Sequence, residues 1–464
     1  MTGIINALSA FTNWAWGLPI LILLIAGGII ISVMIGAVQF RRLGFIFKNT
    51  LGTLFSKDAK KQNDGSGVTP AQALFAALGG TVGTGNIVGV GTAIAAGGPG
   101  ALFWMWVCGF IAMGIKYGEV TMSIRYRERD EEGNWRGGPF MYMKEGLHNL
   151  PWACAFGFMM VLTMALICCV HSSAITSNLS SVGVSKYISL IIMLAFLIAV
   201  LLGGMKTLVS ITDKLVPFMS IFYVVVALIV ILANIGNIGT VFVSVFSGAF
   251  TGTAAVGGFA GAALSSVMRN GLARGVFSND AGLGLSASIQ SQAEGIDHPA
   301  QQGMWAVVEV FIDTILLCTL TGLMILFTGV WTSGESGATL SSAAIGSVIG
   351  SIGRYGCVIA LVLFGLSSLL AAIQGCRIQA ETMFNALVGK IMAGVVILLV
   401  VLGNFIDISA AFMLADFGNA VILILNIPAL ILLSKELRSL TKEWFDNDGD
   451  LEKIRVQREA AGKE

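Results

Sequence analysis

Charged residues are scarce in this sequence of 464 residues. Only 11% of the chain is Asp, Glu, Lys or Arg, whereas 56% is hydrophobic, and the mean hydropathy is +0.85. Soluble globular domains carry about a quarter charged residues. The composition therefore excludes a water-soluble fold and predicts an all-helical, polytopic membrane protein.

Residues that bind metals or form catalytic groups are also few. The three histidines (148, 171 and 298) are scattered, and the seven cysteines show no C-x-x-C spacing. A zinc site is not indicated, and the cysteines are most simply small core residues. Because no nucleophile–base or metal constellation is present, the sequence argues against an enzyme. Residues 1–17 lack the charged region and cleavage site of a signal peptide, so we expect the first span to be retained.

Long apolar runs make up most of the chain, and a helix needs about 20 apolar residues to cross a bilayer. We predict about eleven spans, at 18–38, 70–96, 101–124, 152–178, 187–204, 214–234, 256–293, 304–328, 355–376, 387–404 and 410–433. If the N-terminus is outside, nearly all Lys and Arg residues of the loops lie on one side. The positive-inside rule assigns that side to the cytoplasm. We therefore expect a multi-pass plasma-membrane protein with a cytoplasmic C-terminus.

Glycines interrupt the second and the seventh predicted spans. The stretch 79–86 holds four glycines in eight positions, and 275–284 holds three glycines together with Asp280. Each glycine in a helix costs about 1 kcal/mol relative to alanine. Non-helical backbone at membrane depth is tolerated only where it is buried in protein or lines a cavity. Paired interruptions in corresponding positions indicate the midplane site of a secondary transporter.

The two interrupted spans lie five apart, which predicts a single transporter domain built from two inverted five-helix repeats. The parts are an N-terminal span and cytoplasmic loop (1–69), the first repeat (70–234), the second repeat (256–433) and a cytoplasmic tail (434–464). A channel would instead need a continuous polar pore lining, and the polar positions are isolated at the two interruptions.

Each interruption also has a purely structural interpretation. The stretch 79–86 could be a close-packed helix interface, because small residues let membrane helices approach. Asp280 could cap the following half-helix or pair with Arg274 instead of contacting a ligand. The loop 125–150 mixes both charge signs, which favours a solvated surface.

Three polar side chains in apolar runs leave alternatives open. Ser367 and Ser368 could bond to the preceding turn of their own helix. If they face the first interruption instead, their hydroxyls and its carbonyls form an all-oxygen site suited to Na⁺. We expect His171 to be a hydrogen-bonded interior residue, since no other histidine is close to it in the sequence.

Three motifs, in this order, resemble signatures of the alanine/glycine:cation symporter family, and the resemblance covers almost the whole chain. They are Thr81-Val82-Gly83-Thr84-Gly85-Asn86-Ile87, Gly137-Gly138-Pro139-Phe140-Met141-Tyr142 and Arg274-Gly275-Val276-Phe277-Ser278-Asn279-Asp280-Ala281-Gly282-Leu283-Gly284. The resemblance implies sodium-coupled uptake of a small neutral amino acid on a LeuT-type fold. Na⁺ is then the co-transported ion, and no organic cofactor is expected. The expected partners are the amino acid and the lipid bilayer, with no nucleic acid and no obligatory protein partner.

The resemblance also implies site residues. The Na⁺ site falls on the backbone carbonyls of Gly79 and Val82 and on the hydroxyls of Ser367 and Ser368. The substrate carboxylate would bind the amides near Thr84 and Gly85. The residues that would contact the substrate are Thr84, Gly85, Asn86, Phe277, Ser278, Asn279, Ser177 and Ala372.

Three positions depart from the family pattern. The family usually has Glu where this chain has Asp280, Gln where it has Ser177 and Trp where it has Ala372. The last two differences remove bulk from the pocket, and a small ligand would leave the resulting space unfilled. They therefore predict a larger neutral amino acid as the substrate. The driving ion, Na⁺ or H⁺, and an exchange mode of transport stay open.

Overall fold

The computed structural model describes residues 2–54, 67–131, 133–202, 204–251, 260–405 and 408–460. The start of the predicted seventh span (256–259) and most of the predicted N-terminal loop (55–66) lie outside the described residues. The helices that begin the chain are α1 (Thr2–Ala15), α2 (Leu18–Met34), α3 (Val38–Arg41), α4 (Leu43–Asn49) and α5 (Leu51–Leu54).

Eight helices follow in the region 70–251. They are α6 (Pro70–Thr81), α7 (Val90–Gly97), α8 (Gly100–Arg125), α9 (Pro139–Met141), α10 (Leu150–Ser181), α11 (Lys186–Leu202), α12 (Gly204–Ala233) and α13 (Ile238–Thr251). A π-helical turn, Gly85–Gly89, leads into α7, and another, Tyr142–Gly146, follows α9. A short antiparallel hairpin of β1 (Glu128–Arg129) and β2 (Trp135–Arg136) lies between α8 and α9.

The remaining helices are α14 (Ala260–Asn279), α15 (Leu285–Gln290), α16 (Pro299–Val310), α17 (Thr319–Thr328), α18 (Gly337–Met383), α19 (Ala386–Leu402), α20 (Ile408–Leu432), α21 (Ser434–Asp446) and α22 (Leu451–Ala460). A π-helical stretch, Phe311–Cys318, joins α16 to α17, and single 3-10 turns lie at Ile235–Asn237 and Val330–Thr332. Gly350 has φ 72° and ψ −152°, so α18 consists of two helical segments that meet there.

The described residues contain seven helical segments that are long and apolar enough to cross a membrane. They are α1–α2, α8, α10, α12, α16–α17, α18 and α20. The bent pair α6 and α7 makes an eighth if it is counted as one span. This confirms the prediction of a polytopic, all-helical membrane protein. The predicted total of about eleven also counts α14–α15 and the shorter apolar helices α11 and α19, and it stays a prediction.

Two groups of helices pack on either side of the broken segments. In one group, α10 packs against α18, α19 and α20, and in the other α8 packs against α14 and α16. The half-helix α6 lies between the groups and contacts α12, α15, α16 and α18. Small residues allow the close approach within a group. A Cβ on Gly365 of α18, for example, would lie 2.6 Å from Cγ1 of Ile175 on α10.

The loop 125–150 is only partly a solvated surface. Glu128 and Arg129 in the hairpin are exposed, but residues 139–143 are buried. Gly138 has φ 107°, and a Cβ there would lie 2.4 Å from the Oγ of Ser288 on α15. The expectation of a solvated loop is therefore wrong for residues 138–143, because Gly138 meets α15 and residues 139–143 pack against α8 and α10.

Candidate functional site

The first break separates α6 from α7. Val82 has ψ 88°, which ends α6, and the two halves are bent by 49°. Asn86 stabilises the turn because its Oδ1 accepts a hydrogen bond from the Gly83 N–H at 2.8 Å. A Cβ on Gly83 would lie 2.1 Å from the Oγ of Ser368, so the break approaches α18 as closely as glycine allows. The predicted broken helix is present at this position.

The second break separates α14 from α15. Asp280, Gly282 and Gly284 all have positive φ, at 57°, 84° and 85°. The Oδ2 of Asp280 accepts a hydrogen bond from the Ser286 N–H at 2.9 Å, so Asp280 caps the half-helix α15, as one of its structural interpretations predicts. The alternative pairing with Arg274 is wrong, because the ion-pair partner of Asp280 is Lys116 on α8, at 3.3 Å.

A small cavity of about 40 Å³ lies between the two breaks. Five of the predicted site residues line it: Gly85, Phe277, Ser278, Ser368 and Ala372. The breaks are close together, since a Cβ on Gly85 would lie 3.1 Å from the Cα of Ser278. The structure therefore brings the two glycine-rich motifs and α18 to one cavity.

Helix α10 forms another wall of the cavity with Met164, Ile167 and His171. These residues share one helix face, at positions i, i+3 and i+7. Ser177 lies six residues beyond His171, about 120° around the helix, and its side chain is exposed. The prediction of Ser177 as a pocket wall is thus not supported by its position.

His171 is hydrogen-bonded inside the protein, as predicted. Its Nδ1 lies 3.0 Å from the Oγ1 of Thr84, and both side chains are buried. This contact joins α10 to the first break. Thr84 is therefore held at the edge of the cavity by a side chain that itself lines the cavity.

Asn86 and Asn279, two other predicted site residues, face away from the cavity and support the breaks. The Nδ2 of Asn86 donates to the Oδ1 of Asp313 at 2.7 Å, and Ser278 Oγ donates to the Oδ2 of Asp313 at 2.9 Å. Asn279 Nδ2 donates to the Oγ1 of Thr314 at 3.2 Å. Asp313 thereby connects both breaks to the π-helical stretch between α16 and α17.

Four oxygen atoms converge where α18 meets the first break. Ser367 Oγ lies 3.4 Å from the carbonyl oxygen of Val82, and Ser368 Oγ lies 3.4 Å from that of Gly80. Both hydroxyls are also 2.9 and 3.0 Å from the carbonyl oxygen of Phe364, one turn earlier in α18. The predicted backbone bonding and the predicted contact with the break are thus both present. The second carbonyl is that of Gly80, not of Gly79.

The distribution of protons makes this cluster suitable for a cation. A serine hydroxyl has one proton, and the shorter contacts direct both protons to Phe364. In the 3.4 Å contacts, a lone pair of each serine hydroxyl then faces a lone pair of a carbonyl oxygen. Two oxygens bound at right angles to a hard cation about 2.4 Å away are about 3.4 Å apart. Among the described residues no group of three or more His, Cys, Asp or Glu side chains could hold a metal, so this oxygen cluster is of a different type.

A buried charge network beside the second break was missed in the sequence analysis. Lys116 is fully buried on α8, and its Nζ lies 2.7 Å from the carbonyl oxygen of Asn279 and 3.6 Å from the Oε1 of Glu309. The Oε2 of Glu119 accepts from the Gly282 N–H at 3.0 Å. The signal was available, because Lys116 and Glu119 are three apart and Glu309 and Asp313 four apart within apolar spans.

The profile of the sodium:alanine symporter family matches residues 1–458. The chain belongs to the sodium:alanine symporter family. Its members are transporters, so this family member is not an enzyme. It is also a multi-pass membrane protein, in agreement with its apolar helices.

Relatives of this family member cover nearly its whole length. An uncharacterized transporter, YflA, of Bacillus subtilis is 38% identical over 94% of this chain and 93% of its own. The sodium/alanine symporter AgcS of Methanococcus maripaludis is 34% identical over 95% and 97%. The probable sodium/glutamine symporter GlnT of Bacillus subtilis is 30% identical over 92% and 88%.

A solved structure shares the fold. The crystal structure of a manganese transporter from Eremococcus coleocola covers 84% of this chain and 90% of its own, with a TM-score of 0.51 and 13% sequence identity. At that identity the likeness concerns the fold alone. It places the helices of this family member in the arrangement of another membrane transporter.

Proposed function

We propose that this protein is a secondary active symporter that couples the uptake of a neutral amino acid to Na⁺. The observation that carries the proposal is the cluster of four oxygens at the first break, in which the Ser367 and Ser368 hydroxyls lie 3.4 Å from two carbonyl oxygens. A monovalent cation bound there relieves the repulsion between the oxygens and fixes α6 against α18. Membership of a family named for sodium and alanine supports the same ion and substrate class.

The amino acid binds between the two breaks as a zwitterion. The first peptide N–H groups of a helix lack partners within the helix, and they carry the positive end of its dipole. Since Asn86 occupies the Gly83 N–H, the amides of Thr84 and Gly85 are the ones that receive the substrate carboxylate. The opposite end of the pocket is the C-terminal end of α14, whose negative dipole end attracts the ammonium group.

Two buried carboxylates at the second break disfavour a substrate carboxylate there. Glu119 accepts from the Gly282 N–H, Asp280 accepts from the Ser286 N–H, and the carbonyl of Asn279 accepts from Lys116. The substrate ammonium is therefore left with the carbonyls of Phe277 and Ser278. This asymmetry gives the bound amino acid one orientation, with its carboxylate at the first break.

The size of the side chain that fits is governed at Ala372. Ala372 lines the cavity, whereas Ser177 does not. Of the two positions that predict a larger substrate, only Ala372 therefore still supports that prediction. One relative is named for alanine and another for glutamine. A neutral amino acid larger than alanine is consistent with a small residue at Ala372.

Transport proceeds by rocking of the helix groups around the midplane site in a LeuT-type architecture of about eleven spans. The domain is 1–464, with the first repeat at 70–234 and the inverted second repeat at 256–433. The N-terminus is outside and the C-terminus is cytoplasmic, which places the Lys- and Arg-rich loops inside.

The test is counterflow in proteoliposomes that contain the purified protein, with a panel of neutral amino acids from glycine to glutamine, in Na⁺ and in choline at fixed pH. We expect saturable exchange of at least one of them in Na⁺ and its loss in choline. Ser367→Ala and Ser368→Ala each raise the Na⁺ concentration for half-maximal exchange about tenfold, which corresponds to about 1.4 kcal/mol.

The matched control is Ser351→Ala, an exposed serine on the same helix, which is expected to behave like the wild type. Exchange that continues in choline and follows pH would replace Na⁺ by H⁺ as the driving ion. If no amino acid is exchanged, the proposed function is refuted.

A further inference from the structure

A second, larger cavity lies next to the substrate cavity. It has a volume of about 490 Å³ and is formed by α1, α14 and α20. We call it the vestibule and define it by Asn13, Trp16, Arg269, Arg274, Phe277 and Asp416. Phe277 lines both cavities, so its ring is the partition between them.

Three charged side chains line the vestibule, and both arginines attract the Asp416 carboxylate from beyond ion-pair distance. Among the described residues, Arg269, Arg274 and Asp416 form no ion pair within 4.0 Å. Arg269 donates only a long hydrogen bond, 3.4 Å, to the Oδ1 of Asn13. The backbone carbonyl of Asp416 accepts from Trp16 Nε1 at 2.9 Å, and no hydrogen bond from another described residue reaches its carboxylate. Opposite charges on the walls of one cavity that do not meet leave room for a group between them.

The position of Arg274 relates the vestibule to the path of a ligand. Asn270, Arg274 and Phe277 lie on one face of α14, at positions i, i+4 and i+7. Phe277 lies three positions after Arg274, a rise of about 4.5 Å along the helix. A carboxylate bound by the Arg274 guanidinium is therefore about one helical turn from the partition.

We propose that the vestibule is a second binding site, for a zwitterionic amino acid that has not yet passed Phe277. The guanidinium of Arg274 binds the carboxylate, with Arg269 beside it, and the carboxylate of Asp416 binds the ammonium group. Guanidinium groups bind carboxylates in a bidentate geometry, and a volume of 300 to 1,000 Å³ is typical of small-molecule sites. The inference rests on the proposed function, because it assumes that the substrate cavity takes an amino acid.

The vestibule raises the local concentration of the correct substrate. Two guanidinium groups and one carboxylate favour a molecule that carries both charges over an amine that carries only a positive one. Removal of the positive or the negative charge from the vestibule therefore weakens binding of the amino acid before it passes Phe277. It does not change the Na⁺ cluster at Val82 and Ser367. We therefore expect the KM for the amino acid to rise, while the Vmax and the Na⁺ requirement stay the same.

The experiment measures initial rates of L-alanine and L-glutamine uptake by proteoliposomes at saturating Na⁺. Arg274→Gln and Asp416→Asn are compared with Arg354→Gln, an exposed arginine outside the vestibule. We expect each vestibule variant to raise the KM about tenfold, with a Vmax within twofold of the wild type and an unchanged Na⁺ half-saturation. Asp416→Asn keeps the shape of the side chain and lies on a different helix from Arg274, so it serves if Arg274→Gln does not fold.

The results that overturn the inference are distinct from failure of the proposed function. A KM in both variants within twofold of Arg354→Gln refutes the vestibule site while transport itself stands. A fall in Vmax with an unchanged KM also refutes it, because it indicates a role in movement and not in capture. If the wild-type protein moves neither amino acid under Na⁺, the proposed function fails and the vestibule site fails with it.

Discussion

At the scale of single residues, the first break depends on a glycine that no other residue can replace without moving an oxygen. The Gly83 backbone meets Ser368 so closely that a Cβ would lie 2.1 Å from its Oγ. A side chain there would force the Ser368 hydroxyl to rotate away from the carbonyl of Gly80. The cost would fall on the cation site before it falls on the fold, since a serine side chain can rotate.

The corresponding prediction concerns two glycines in the same broken segment. Gly83→Ala should abolish Na⁺-dependent exchange, or raise the required Na⁺ concentration at least tenfold, in the counterflow assay. Gly89→Ala is the matched control, because a Cβ at Gly89 meets no atom within 4 Å. Equal Na⁺ requirements in the two variants would show that the Ser368 hydroxyl is not a ligand.

Part of the site could be predicted at this scale and part could not. The family resemblance implied that Gly85, Phe277, Ser278, Ser368 and Ala372 share one site, and all five line the same cavity. The two glycine-rich breaks themselves are visible in the composition. The sequence could not fix helical rotation. Ser177 was therefore predicted to line the pocket, although it lies on a different face of α10. On that helix His171 is at the cavity.

At the scale of secondary-structure elements, the two breaks are held in different ways. The first is stabilised by neutral groups, among them Asn86 and Ser368, and its next amides remain for a ligand. The second is held by buried charges from α8 and α16, with Lys116 on the carbonyl of Asn279 and beside Asp280. The Lys116 ammonium group thus provides a positive charge at the C-terminal end of α14, as a bound cation would.

Removal of this positive charge should destabilise the protein. In Lys116→Met, the buried carboxylates of Asp280 and Glu309 lose their ion-pair partner. Breaking a buried pair typically costs about 3–5 kcal/mol. We expect a clear fall in the melting temperature of the purified protein in detergent.

The control for that prediction is Lys390→Met, which removes an exposed lysine from α19. Equal melting temperatures for the two variants would show that the pairing contributes nothing to stability. The spacing of Lys116 and Glu119, and of Glu309 and Asp313, was a usable signal, but which acid meets which base depends on the packing of helices far apart in sequence.

At the scale of the whole molecule, the pattern of hydrophobic runs was enough to predict a helical membrane protein with two broken segments. It was not enough to predict how the loop 125–150 folds back. There Gly138 meets Ser288 of α15, and the buried residues 139–143 pack against α8 and α10. Long-range packing of this kind has no periodic signal in the sequence.

At the same scale, we expect a cation at the first break and an amino acid in the adjacent cavity to stabilise each other. Linkage requires that each ligand raises the affinity for the other by the same factor. Phe277 and Ser368 belong to the walls of the same cavity. Both ligands are therefore expected to hold the broken helix formed by α6 and α7.

The most direct measurement is equilibrium binding of labelled L-alanine and L-glutamine to the purified protein across a range of Na⁺ concentrations, paired with Na⁺ binding across a range of amino acid. We predict that saturating Na⁺ lowers the Kd of at least one amino acid by tenfold or more. Saturating amino acid should lower the Kd of Na⁺ by the same factor, and Ser367→Ala should abolish both effects. Amino-acid affinities that are unchanged when Na⁺ replaces choline would contradict the account.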